Sequence, residues 1–316
     1  MGEATPEEGT GPVTRRVPTA WIAMGLACLA IAGAMPGREA SRPPEYFGSS
    51  SLTPSPARSG TALAATTVTA QEGGQRLAFT VVYDNNPHDP RLRTAWGFAC
   101  WVETPGGTLL FDTGGDGPTL LGNMARLGLD PRRVDAVMLS HIHGDHTGGL
   151  AALLDAGVRP RVYVPAAFPA SFKHDIRVRT NLVEVTGPMR VPPGVYTTGE
   201  MGSPIVEQAL VVKTRHGLVV VTGCAHPGIV EMVARARQVL GGEVALVLGG
   251  FHLSGASSSR IESIIADFRR LSVRRVAPCH CTGDRARRMF ADAFGADFFP
   301  AGVGWSIAFK PSSGSE

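Results

Sequence analysis

Apolar residues in this chain fall into short blocks separated by glycine, proline and polar turns. Residues 77–83 (LAFTVVY), 98–103 (FACWVE) and 108–112 (TLLFD) are rich in β-branched and aromatic side chains and read as strands. Residues 118–127 carry Leu120, Leu121, Met124 and Leu127, the three-to-four spacing of a helix with one apolar face. Residues 134–139 (VDAVML) are almost continuously apolar, as in a strand covered on both faces. The same reading predicts strands at 161–164, 182–185, 208–213, 218–222, 244–248 and 273–277, and helices at 228–240, 258–271 and 283–294. Hairpins come first and strand–helix alternation follows, which predicts an α/β (α+β) layered sandwich.

Upstream of residue 76 the pattern changes. Residues 1–19 are polar and include Arg15 and Arg16, and residues 20–35 (AWIAMGLACLAIAGAM) then run without a charge. A basic flank, an apolar run and small residues (Ala32, Gly33, Ala34) have the order of a secretory signal. The run is shorter than the ~20 residues of a comfortable membrane span. Residues 1–36 are therefore expected to be a signal peptide or, if uncleaved, a membrane anchor touching the bilayer through 20–35. Residues 37–75 are rich in Ser, Pro, Thr, Ala and Gly and keep no apolar period. Such a segment cannot bury enough surface to offset its ordering entropy, so it reads as a tether. The expected organisation is a folded domain over 76–316, exported or membrane-tethered, outside the cytoplasm.

Composition narrows the function. Of 316 residues, 43% are hydrophobic and 18% charged, enough for a sizeable core. The net charge of +3 leaves no nucleic-acid footprint, and a small-molecule substrate is expected instead. Five cysteines (Cys28, Cys100, Cys224, Cys279, Cys281) are too few and too irregular for a disulfide scaffold.

Chemistry concentrates after the apolar strand at 134–139. There the chain reads Ser140-His141-Ile142-His143-Gly144-Asp145-His146-Thr147-Gly148-Gly149. Imidazole nitrogens and carboxylate oxygens are the donors that zinc-like cations take. A His-x-His at a strand end is expected to aim both rings to one side, with Asp145 and His146 reaching an adjacent position from the turn. Gly144, Gly148 and Gly149 are expected to allow the tight backbone path. Further histidines follow apolar strands at His226, His252 and His280, whereas His88, His174 and His216 sit in polar contexts and are expected to lie outside any site.

The H-x-H-x-D-H stretch resembles the signature of the metallo-β-lactamase fold superfamily. The likeness spans about 77–310 and includes Leu109–Gly114 (LLFDTG) and Val219–His226 (VVVTGCAH). LSHIHGDHTGGL, EQALV, TGCAHPGI, GGFHL and HCTG are similar to the subgroup named for dihydropterin ribofuranosyl-aminobenzene phosphate synthase. The resemblance implies a four-layer αββα sandwich holding one or two divalent metals at strand ends. His141 and His143 would hold the first metal, Asp145 and His146 the second, with His226 and His280 completing the shells. The chain departs from the superfamily pattern twice. Thr198-Gly199-Glu200-Met201 lacks the usual Gly-His histidine, and Cys224 stands where a bridging aspartate is usual. A thiolate there would favour zinc over manganese; a small buried residue is the other reading.

Asp112 is expected to orient a ligand histidine or to form a turn. Cys279 and Cys281 are expected to pack rather than ligate. His252 reads first as a proton donor or substrate contact, with ligand and hydrogen-bonded core residue as alternatives. The activity implied is that of a metal-dependent hydrolase. A bound water, its pKa lowered from ~15.7 toward ~7, would attack an ester, amide or phosphoester, with Asp145 orienting the nucleophile. The alternatives are a non-hydrolytic pterin or phosphate synthase on the same centre, and a non-catalytic metal-binding module.

Overall fold

The computed structural model describes residues 77–309. The expectations for residues 1–36 and 37–75 lie outside the described residues. Among those described, thirteen strands form two sheets. The first sheet contains β1 (Leu77–Tyr83), β2 (Ala99–Thr104), β3 (Gly107–Phe111), β4 (Val134–Met138), β5 (Arg161–Pro165), β6 (Leu182–Val185) and β13 (Ser306–Phe309). Its order is β13-β1-β2-β3-β4-β5-β6. The second contains β7 (Met189–Val191), β8 (Val195–Thr197), β9 (Leu210–Thr214), β10 (Gly217–Thr222), β11 (Val244–Gly250) and β12 (Val276–Cys279), in the order β12-β11-β10-β9-β8-β7.

Side-chain alternation turns these sheets into four layers. In β1, Leu77, Phe79 and Val81 face the space between the sheets, where Val219, Val221, Leu246 and Leu248 meet them from β10 and β11. The intervening positions of those two strands face outward: Leu218, Val220 and Val247 pack on the helices Ile229–Leu240 and Ser258–Arg270. On the other outer face, Leu110, Val137 and Val162 pack on α1 (Gly117–Arg126) and on the short helix Leu150–Asp155. Each fully buried Leu, Val or Phe contributes roughly 1.5–3 kcal/mol. The result is an αββα sandwich.

Local sequence explains the helices. The helix Ile229–Leu240 buries Ile229, Met232, Val233 and Ala236, and the helix Ser258–Arg270 buries Ile261, Ile264, Ile265 and Phe268, both at helical spacing. Asp116 caps α1 by accepting the Thr119 N–H at 2.7 Å. Periodicity did not reveal Ala170–Arg177, a helix with Ile176 as its one buried residue, nor the three-residue strands β7 and β8. The strand expected at 273–277 lies at Val276–Cys279, because Val273 makes an isolated bridge to Val244.

Strand direction positions the chemistry. β1, β2 and β3 are antiparallel, whereas β3 to β6 and β10 to β12 run parallel. Parallel strands gather their carboxyl ends along one edge, where sites in α/β sheets form. Asp112, the 140–146 segment, Cys224, His252 and His280 all follow such ends.

Candidate metal centre

His141 and His143 lie beyond the strand rather than on it, because β4 ends at Met138. His143 is the N-cap of the single turn Gly144–Thr147, which carries Asp145 and His146. That turn is pinned to the loop after β3. Thr113 donates its N–H and hydroxyl to the His146 carbonyl at 2.8 and 2.9 Å. Gly148 and Gly149 have ordinary helical backbone, so conformational freedom is not their use. A Cβ on either would fall 2.1 Å from the Gly115 or Thr113 carbonyl oxygen, so the close approach requires them. Gly144 meets nothing within 4 Å and is not needed for this path.

Two groups of donors converge. In the first, His141 Nε2 lies 3.1 Å from His143 Nδ1 and 3.2 Å from His226 Nε2. In the second, His146 Nε2 lies 3.2 Å from His280 Nε2, and Asp145 Oδ2 lies 3.3 Å from His280 Nε2 and 3.5 Å from His146 Nε2. Cys224 Sγ lies 3.2 Å from His146 Nε2 and also falls within 4.8 Å of the donor atoms of His141 and His226. The thiol therefore stands between the groups.

These separations fit a cation. Ligands about 2.0–2.1 Å from a tetrahedral ion are roughly 3.3–3.4 Å apart. Burial, reinforced by the neighbouring histidines, holds His141 well below the ordinary imidazole range. Burial and then His252 lower His226 to about 4. Both rings are thus neutral near pH 7, with lone pairs to offer. A neutral imidazole keeps one ring nitrogen free of a proton, and that lone pair is what a cation takes.

Several of these donors are held from behind. Asp112, fully buried, accepts from His146 Nδ1 at 2.8 Å and from the Ser140 N–H and hydroxyl at 2.7 Å. The Ser140 hydroxyl also contacts His141 Nδ1 at 2.9 Å. His280 Nδ1 contacts Asn85 Oδ1 at 3.0 Å, and the His280 N–H donates to Asp84 at 3.1 Å. Glu207 is fully buried and accepts the N–H groups of Cys224, Ala225 and His226 at 2.8–2.9 Å. Burial raises its pKa to about 7 against the pull of those donors.

Backbone strain concentrates here. Of the described non-glycine residues at positive φ, Asp112 (57°), Ala225 (64°), His252 (52°) and His280 (49°) all belong to these loops. Such conformations cost about 1–3 kcal/mol each and persist where surrounding contacts impose them.

The structure thus brings His141, His143, Asp145, His146, His226 and His280 together, with Cys224 between them. His252 lies at the rim, exposed, its ring 4.4 Å from that of His226. His88, His174 and His216 are outside these groups. Sequence reasoning assigned no role to Asn85, Asp84 or Glu207; of the three, only Glu207 lies in a stretch singled out there, EQALV. Cys279 packs between the sheets, as expected, but Cys281 lies beside Cys224 and His252.

An αββα sandwich with two histidine-rich donor groups along one sheet edge defines a class of proteins built around a metal centre. The chain belongs to the metallo-beta-lactamase superfamily, whose family model matches residues 97–232. It is 30% identical over 247 residues to the 7,8-dihydropterin-6-methyl-4-(beta-D-ribofuranosyl)-aminobenzene-5'-phosphate synthase of Methanocaldococcus jannaschii, covering 64% of this chain and 84% of that one. A crystal structure of a metal-dependent hydrolase of the β-lactamase superfamily superposes with a TM-score of 0.60 at 26% identity, covering 73% of this chain and 98% of that one. The metallo-beta-lactamase fold protein YhfI from Bacillus subtilis superposes at 0.57 with 15% identity, covering 74% and 99%, a likeness of fold.

Proposed function

We propose that this chain is a metal-dependent hydrolase that cleaves an ester, amide or phosphoester bond in a small molecule. The observation that carries the reading is the pair of donor groups meeting at Cys224. His141, His143 and His226 would hold one divalent ion, and Asp145, His146 and His280 a second, with Cys224 shared and zinc favoured by the thiolate. Ions bound there supply Lewis-acid activation of water and substrate.

The remaining chemistry belongs to side chains. Burial disfavours the Asp145 carboxylate, but His280 and His146 outweigh it and keep Asp145 ionised. An ionised carboxylate within the second group can orient an attacking water and take its proton. His252, exposed beside His226, can donate a proton to the leaving group. Trp96 is 58% exposed, with its ring 4.9 Å from that of His280. It offers an apolar face to a substrate entering from solvent.

The likeness to a metal-dependent hydrolase at 26% identity supports this reading. A second reading, synthesis of a pterin–aminobenzene linkage, is favoured by the 30% identity to a protein named for it. The signal-like pattern of residues 20–35 supports a domain working outside the cytoplasm, away from such biosynthesis. The discriminating experiment presents metal-reconstituted protein with phosphodiester, lactone and β-lactam chromogens. Turnover that vanishes in Asp145→Asn is expected. Fully metallated protein that leaves every chromogen intact, yet joins a pterin to a ribosyl-aminobenzene phosphate, would replace the hydrolase reading with the synthase.

A further inference from the structure

Cys281 belongs to neither inner donor group, yet its sulfur lies against the loop that carries Cys224. The thiol donates to the Cys224 carbonyl oxygen at 3.6 Å. Gly250 makes the room: a Cβ there would fall 2.7 Å from the Cys281 sulfur and 3.2 Å from Cys224 Cα. One ring nitrogen of His252 completes the set, because it and the two sulfurs all lie within 4.8 Å of one another. The two cysteines are buried, at 4% and 5% exposure, whereas His252 is exposed. The group is therefore closed on its sulfur side and open to solvent on its imidazole side.

The backbone points the same way. His252 takes a left-handed conformation, φ 52°, immediately after Phe251 is locked into the core. The Phe251 N–H is held by the Thr282 hydroxyl at 3.1 Å, which ties this loop to the one carrying Cys281. Neither inner group uses the strained residue.

We infer that Cys224, His252 and Cys281 form a third, outer site for a thiophilic divalent cation such as zinc or cadmium, sharing Cys224 with the inner centre. Two sulfurs and an imidazole select such ions over magnesium or manganese, and three protein donors leave a fourth position open. Two sulfurs at ~2.3 Å from a tetrahedral ion are roughly 3.8 Å apart, so the two sulfurs need to close by no more than about 1 Å. Binding requires the Cys281 thiol, and the Cys224 thiol where no inner ion has already displaced its proton, to release protons to solvent, and the hydrogen bond from Cys281 to the Cys224 carbonyl is given up.

The inference rests on the metal-centre reading for the position of Cys224, but not on hydrolysis. Filling the outer site engages His252, the proton donor of that reading, and draws the Cys224 sulfur outward. An excess of a thiophilic cation should therefore inhibit at this position.

The test is a cadmium titration of the reduced, metal-stripped full chain. Bound equivalents are counted by equilibrium dialysis, and sulfur–cadmium contacts are followed by charge-transfer absorption. Wild type should bind one equivalent more than Cys281→Ser or Cys281→Ala, held at least tenfold more weakly than the inner ions. Both variants should keep the inner equivalents and the wild-type circular dichroism. His252→Ala should weaken the same extra equivalent at least tenfold. Equal stoichiometry and absorption in wild type and both Cys281 variants would overturn the inference, and so would a loss confined to the serine variant. Failure of wild type to hold even the inner ions would remove the shared Cys224 site and this inference with it, whereas absent turnover alone would count only against the hydrolase.

Discussion

Asp112 Oδ2 accepts a hydrogen bond from the His146 Nδ1–H at 2.8 Å with both side chains fully buried. In the neutral ring, with Nδ1 carrying the proton, the lone pair is on Nε2, the atom facing Cys224 and His280. Residues 34 apart in the chain thus settle one tautomer at the centre.

Asp112→Ala should lower metal affinity about 10–100-fold through loss of that orientation. It should also cost roughly 1–3 kcal/mol, because the buried Ser140 N–H loses its acceptor. Chelator competition and urea unfolding measure the two effects. Affinity equal to wild type would mean that His146 keeps its pose without Asp112.

The double variant His141→Ala, His143→Ala should purify with far less metal than wild type and lose turnover. Elemental analysis reads this directly. Full stoichiometric metal in the double variant would exclude the first donor group as a site.

His226→Ala and His280→Ala should each reduce metal content, since each removes a nitrogen 3.2 Å from another donor. His252→Ala should keep the inner metal and slow turnover, by ~10²–10⁴-fold for a lost general acid. The reverse pattern, with metal lost on changing His252 and kept on changing His226, would transfer the ligand role to His252.

Glu207→Gln should destabilise the loop of Cys224 and His226. The carboxylate accepts three backbone N–H groups through both oxygens, and an amide turns one of those acceptors into a donor. A loss of about 1–3 kcal/mol is expected in denaturant unfolding. An unchanged midpoint would show that the loop holds its shape alone.

A chain beginning at residue 76 should unfold at the same temperature as the full-length protein. Both sheets and the three apolar clusters lie within 77–309. A large fall in midpoint would show that the upstream residues pack on the domain.

Local pattern was enough for most of the elements. Strands such as Leu77–Tyr83 and helices such as Ser258–Arg270 announce themselves because burial of one face imposes a period of two or of three to four on neighbouring residues. The His141–His146 cluster was legible for a similar reason: its donors lie within one turn of chain. Ala170–Arg177 and the strands β7 and β8 were not, being too short or too polar to show a period.

The grouping of donors belongs to the tertiary structure. His280 joins His146 across 134 residues, and His226 joins His141 across 85. Those pairings follow from the parallel runs β3–β6 and β10–β12 ending along one edge, an order that no local period encodes. The same holds for Asn85 behind His280, Glu207 beneath the Cys224 loop, and Cys281 beside Cys224. A sequence lists candidate donors because donor chemistry resides in single side chains. Which of them share an ion depends on distances of a few ångströms, and those exist only once both sheets have closed on their common core.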